Sequence, residues 1–242
     1  MIYFYSGTPG SGKSLHVAQE VEHYIRKGKN VIANFEIADD RIRKKRKYEK
    51  GNFVYISNGD FGRKYGRKSD HDAIDCLYGY ALNFHNKNPR GQIIENQTLL
   101  IFDEAQILFN SRTWQESMRS RWVEFFTQHR KYGFTVIIIS QFERLLDRQV
   151  RGCFEYELNH KKINNFKVFG KLLGLLCGGQ LFVFVTRWYG VKGKDSKVDA
   201  HFLLASTGIM TCITVIRYSQ VSNRRGGAWR ARGPRRLLSC IY

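Results

Sequence analysis

Residues 7–14 read Gly-Thr-Pro-Gly-Ser-Gly-Lys-Ser, five residues after an apolar start. This is the G-x-x-x-x-G-K-[ST] pattern of a phosphate-binding loop. Ile2-Tyr3-Phe4-Tyr5 before it reads as a short buried strand, while Leu15, Val17, Ala18, Val21, Tyr24 and Ile25 recur behind it at helical spacing. Strand, glycine-rich loop and helix in that order restrict the fold severely. The glycines let backbone N–H groups curl around an anion, and the positive end of the helix points at the same place. Gly7, Thr8, Pro9, Gly10, Ser11 and Gly12 would form the cradle. Lys13 would reach the β- and γ-phosphates of a nucleoside triphosphate, and the Ser14 hydroxyl would ligate Mg²⁺.

A second constellation narrows the chemistry. Thr98-Leu99-Leu100-Ile101-Phe102 is an apolar run that ends in Asp103-Glu104. Such a run suits a strand buried on both faces of a parallel sheet, with the acids emerging at the edge where ligands bind. Asp103 is then expected to hold Mg²⁺ indirectly, and Glu104 to orient or deprotonate the attacking water. A third apolar run, Phe134–Ile139, ends in Ser140-Gln141. A polar side chain there could hydrogen-bond the γ-phosphate or the lytic water; Gln141 is the first choice and Ser140 the second. Beyond it, Arg151 or Arg148 is a candidate finger for the active site of a neighbouring subunit, and His129-Arg130-Lys131 is another.

The remaining pattern predicts an α/β fold: a mainly parallel sheet with helices on both faces and a small β-rich C-terminal extension. Val31–Phe35 and Phe53–Ile56 read as strands. Ser69 or Asp70 is expected to cap a helix carrying Ile74, Leu77, Tyr78, Ala81 and Leu82 on one face. A helix from Glu116 to Lys131 places Met118, Trp122, Phe125 and Phe126 at core spacing. Residues 1–152 are read as the ATPase core and 153–199 as its β-rich extension. From residue 200 to 242 there is no Asp, Glu or Lys but there are seven arginines. That switch suits a disordered nucleic-acid-binding tail and equally the translation of a shifted reading frame.

With 43% hydrophobic and 14% aromatic residues the chain is globular in composition. Five widely spaced cysteines without C-x-x-C suit buried thiols of a cytoplasmic protein. Because the loop begins at residue 7, there is no room for a secretory signal before it. Two uncharged stretches, 172–186 and 202–216, have 15 residues each, below the length of a spanning helix. The net charge of +19 is concentrated in Arg41–Lys47, Arg63-Lys64 and Arg67-Lys68, with aromatics interleaved. These blocks would attract nucleic acid or an anionic membrane face, or form a solvated basic loop.

Taken together, these segments resemble the zonula occludens toxin-like (Zot) family, which includes the assembly ATPase of filamentous phages. The resemblance rests on the segments at 6–14, 100–106, 128–133, 138–141, 147–151, 159–165 and 187–189, within residues 1–195. It implies a P-loop ATPase of RecA/FtsK-HerA type, using ATP and Mg²⁺. It further implies a homo-oligomer at the cytoplasmic face of the host inner membrane that works with other phage assembly proteins to move single-stranded phage DNA. The roles of Lys13, Ser14, Asp103, Glu104 and Gln141 follow at the matching positions. Phage members commonly carry a membrane span after the ATPase, and no convincing span is read here. The rival readings are a nucleotide-gated DNA-binding adaptor that does not hydrolyse, and a small-molecule or nucleotide kinase.

Overall fold

In the computed structural model, residues 1–38, 42, 48–61, 64–65, 71–111, 116–162, 181–191 and 193–204 are described. The basic blocks fall largely outside them: Arg41, Arg43–Lys47, Arg63, Arg67 and Lys68. So do the proposed caps Ser69 and Asp70 and the chain from residue 205 onward.

The elements alternate as expected. β1 (Ile2–Ser6) runs through the glycine loop into α1 (Lys13–Arg26) and on to β2 (Asn30–Ala33). β3 (Phe53–Tyr55), α2 (Asn58–Phe61), and the short strands β4 (Lys64–Tyr65) and β5 (His71–Asp72) lead to α3 (Ala73–Phe84). Next come β6 (Thr98–Phe102), α4 (Glu116–Gln128), β7 (Phe134–Ile139) and α5 (Arg148–Gly152). β8 (Tyr156–Lys162), β9 (Leu181–Trp188) and β10 (Lys197–Leu204) complete the order.

Eight strands form one sheet in the order β10-β9-β8-β1-β7-β6-β2-β3. Neighbours from β8 to β3 pair in parallel, whereas β8–β9 and β9–β10 are antiparallel. The residue alternation of each central strand supplies both faces. Tyr5, Leu99, Ile101, Ile137 and Ile139 meet Val17, Val21 and Ile25 of α1. Phe4, Leu100, Phe102, Val136 and Ile138 meet α3, α4 and α5 on the other side. This second core is built from aromatic rings: Phe102 lies edge-on to Trp122 at 5.4 Å, and Phe109 edge-on to Phe126 at 5.5 Å. Exposed pairs such as Arg26–Glu22 are worth only a few tenths of a kcal/mol. The two apolar layers therefore decide the architecture.

Several local expectations change. α3 is capped by Asp72, whose carboxylate accepts from Ile74 N and Asp75 N while Asp75 returns a bond to Asp72 N. Tyr80 is buried on this helix, while Leu82 is 53% exposed and faces away from the core. α4 stops at Gln128 because residues 130–133 turn sharply back into β7, with Gly133 at φ 78°. β8 joins the parallel sheet directly beside β1, so the β-rich part grows out of the core sheet. β10 runs through position 200, where the sequence changes character, because it pairs with β9 as far as Leu204. Phe202, the first residue of the second uncharged stretch, accordingly belongs to a strand. Among the described residues, no helix is long and apolar enough to cross a membrane.

Phe126 is buried in the aromatic layer away from the glycine loop. Phe126→Ala should lower unfolding free energy by about 3–5 kcal/mol, read from the denaturant midpoint. A loss under about 1 kcal/mol would show that this layer is not the core.

Candidate active site

β1 places the glycine loop at the C-terminal edge of the sheet. Gly7 has φ 138°, and a Cβ there would lie 2.5 Å from the His160 carbonyl oxygen. Gly12, at φ 95°, is the residue before α1, and its Cβ would enter the Phe182 ring at 2.7 Å. Both positions therefore require glycine for conformation and for space. Lys13 Nζ donates to the carbonyl oxygens of Gly7 and Thr8, at 2.5 and 3.1 Å, so it folds back over the loop. Ser14 follows on the first turn of α1, exposed to solvent.

Parallel pairing brings the acids to the same edge. Tyr5 is level with Ile139 across β1–β7, and Phe102 with Ile138 across β6–β7. Ser6, Asp103 and Ser140 consequently leave the sheet side by side. Burial pushes the Lys13 ammonium below its ordinary pKa, while the Asp103 carboxylate acts in the opposite sense. The two charges lie in one electrostatic field. Glu104 is exposed and adopts φ 47°, ψ 45°, left-handed for a non-glycine residue. That geometry costs about 1–2 kcal/mol and must be held by its surroundings. Glu104 N donates to Asp103 Oδ1 at 2.9 Å. Asn34, just past β2, pairs with Asp103 through both backbone groups, at 2.7 Å each.

Gln141 is exposed and lines a cavity of about 420 Å³ with Ser6, Gly7, Thr8, Glu157 and Asn159. Ser140 is buried and donates to Phe142 O at 3.2 Å, bonding within its own turn. Glu157 accepts from Ser6 Oγ at 2.6 Å.

The arginine candidates are placed elsewhere. Arg148 is exposed on α5. Arg151 lines a separate cavity of about 920 Å³ with Glu143, Glu157 and Arg187, and its buried Nε has no hydrogen-bond partner. His129 and Arg130 lie at the opposite edge of the sheet. His129 is buried, hydrogen-bonded to Phe126 O and the Met1 amine, and Arg130 pairs with Glu155. Helix α4 ends where β7 begins, so this segment cannot reach the glycine loop of its own chain.

The sequence profile described as Zonular occludens toxin (Zot) matches residues 1–172. The chain belongs to the Zot family. The Gene 1 protein of Enterobacteria phage I2-2 is 25% identical over 186 residues, covering 74% of this chain and 46% of that protein. The Gene 1 protein of Enterobacteria phage M13 is 23% identical over 203 residues, covering 82% and 53%. The chain thus spans about half the length of these curated relatives. The crystal structure of the N-terminal domain of zonular occludens toxin from Neisseria meningitidis superimposes with a TM-score of 0.52 at 16% identity. It covers 87% of this chain and 97% of that domain, so the two share a fold.

Two features of this Zot-family site were not read from sequence as site residues. Asn34 carries the signal that marked Asp103 and Gln141, a polar residue closing an apolar strand, yet it was read only as strand. His16 and His160 form a buried pair beneath the loop. His160 Nδ1 lies 2.9 Å from Leu158 O and 3.2 Å from Ser6 O, so it carries the proton. Its Nε2 then accepts from His16 Nδ1 at 2.9 Å. Tyr5 and Phe184 stack on His16 at 4.9 and 4.1 Å.

Burial lowers the pKa of His16 to about 3 and of His160 to about 4, from 6.5. Folded and unfolded imidazoles are both neutral above pH 6.5. Below it the unfolded chain takes up protons that the folded chain refuses, so stability falls from about pH 6.5 toward 4. The denaturant midpoint should drop across that window, and His16→Phe should make the drop shallower. An unchanged slope in the variant would refute this account of the pair.

Proposed function

We propose that this chain is an ATP-hydrolysing motor for phage assembly or export, and that it moves single-stranded DNA. The observation that carries the reading is the convergence of Lys13, Asp103, Glu104 and Gln141 at one edge of a parallel sheet. The loop glycines, with two positions that admit no Cβ, offer backbone N–H groups to phosphates. ATP would occupy this cradle, with Lys13 turning from the loop carbonyls to the β- and γ-phosphates. Ser14 and Asp103 would hold Mg²⁺, a hard cation that takes oxygen ligands. A cation held by those oxygens would supply charge neutralisation at the transferring phosphoryl group. To Glu104 we assign the orientation or deprotonation of the attacking water, and to Gln141 a bond to that water or to the γ-phosphate. Positioning and charge neutralisation supply most of the catalysis.

Membership of the Zot family and similarity to phage Gene 1 proteins support the assembly role. The net charge of +19 supports a polyanionic partner. We place the chain at the cytoplasmic face of the inner membrane as a homo-oligomer, with Arg151 supplied to a neighbouring site. Arg151 does not line its own loop cavity, and its Nε is unpartnered.

Phosphate release should be measurable and should rise with single-stranded DNA. Lys13→Ala should abolish it; Glu104→Gln should retain nucleotide and lose about 10²-fold or more in turnover. No wild-type turnover with or without DNA would favour the non-hydrolysing adaptor. Normal turnover by the Lys13 variant would refute the site. Specific activity should rise steeply with protein concentration if sites are completed between subunits, whereas a flat profile would sink Arg151 in trans.

A further inference from the structure

Beside the phosphate site lies a polar contact that the hydrolytic roles above leave unused. Asn34 is 9% exposed and stands at the C-terminal end of β2, next to the strand that carries the acids. Its Oδ1 accepts from Asp103 N at 2.7 Å, and its Nδ2 donates to Asp103 O at 2.7 Å. The orientation of the amide follows from the partners: a backbone N–H only donates and a carbonyl only accepts. The second Nδ2 hydrogen goes to Asn58 Oδ1 at 2.7 Å, so all three contacts are satisfied together.

Parallel pairing between β2 and β6 ends at Ala33 and Ile101, yet the chain beyond Phe102 must turn sharply into the left-handed Glu104. The Asn34 amide extends the ladder by one side-chain rung at that point, fixing the peptide groups on both sides of Asp103. Asn34 and Asn58 also bracket the segment that holds the Arg41–Lys47 basic block. Their mutual bond lies against the turn that bears the acids.

From this geometry we infer that Asn34 is a positioning residue for hydrolysis, braced by Asn58: it holds the Asp103–Glu104 turn in its reactive geometry. Its amide is committed to Asp103 and Asn58, so it acts through the acids. The inference rests on the ATPase reading. It predicts a kinetic signature different from that of a loop residue, because nucleotide is gripped by β1 and α1 while Asn34 acts only on the acids.

The test uses the full chain, comparing wild type, Asn34→Ala and Asn58→Ala. Phosphate release gives kcat, and a fluorescent ATP analogue gives nucleotide affinity. Asn34→Ala is expected to lower kcat about 10- to 100-fold, the range for an ångström-scale misplacement, with affinity within about twofold of wild type. Asn58→Ala, which leaves both Asp103 bonds in place, should lower kcat by a smaller factor with the same unchanged affinity. If Asn34→Ala does not fold, the Asn58 variant carries the test. Wild-type kcat in whichever variant folds would overturn the positioning role and leave the ATPase reading standing. So would parallel losses of kcat and affinity, which mark general damage to the site. A wild-type chain without turnover would overturn both.

Discussion

The site depends on the parallel ladder β1–β7–β6. Its hydrogen bonds set Tyr5 level with Ile139 and Ile138 level with Phe102, so the three strands end together. A slip of one residue in any strand would turn its core side chains to the opposite face and move its terminal polar group out of the site. The apolar layers resist that slip. Phe4, Phe102 and Ile138 fit only the aromatic side, and Tyr5, Ile101 and Ile139 only the α1 side. Burial of two hydrophobic faces is thus what fixes the distance between a lysine and an acid that are far apart in sequence.

Polar groups beneath this edge complete the arrangement. Ser6, His16, Asn34 and His160 are buried and hydrogen-bonded, where an unpaired polar atom would cost about 1–3 kcal/mol. The His16–His160 pair joins α1 to β8 under the glycine loop, and the Asn34 amide joins β2 to the turn after β6. Ser6 and Glu157 connect β1 to β8 beside it. These contacts link α1, β1, β2, β8 and the turn after β6 beneath the loop and the acids.

Most of this architecture was legible in the chain because its signals are local. The order of strand, loop and helix, the acids at the end of one apolar run and Gln141 at the end of another all depend on residues within a few positions of each other. Expectations failed where a local signal competed with a tertiary one. Leu82 has the right spacing for the core face of α3, but Tyr80 takes the buried place against Phe134. Asp72 displaced the nearby caps because Arg121 of α4 also reaches it, at 3.0 Å.

The sequence by itself determined that there would be a phosphate-binding loop, a pair of acids and a layered α/β fold, since helix periodicity, glycine conformation and apolar runs are properties of short stretches. The tertiary structure alone decided which strands neighbour one another, and hence that β7 stands between the loop strand and the acid strand. It also decided that Asn34 grips Asp103 and that His16 meets His160. Such contacts join residues 69 and 144 positions apart. Their partners are chosen by sheet order and register, which no short window of residues encodes.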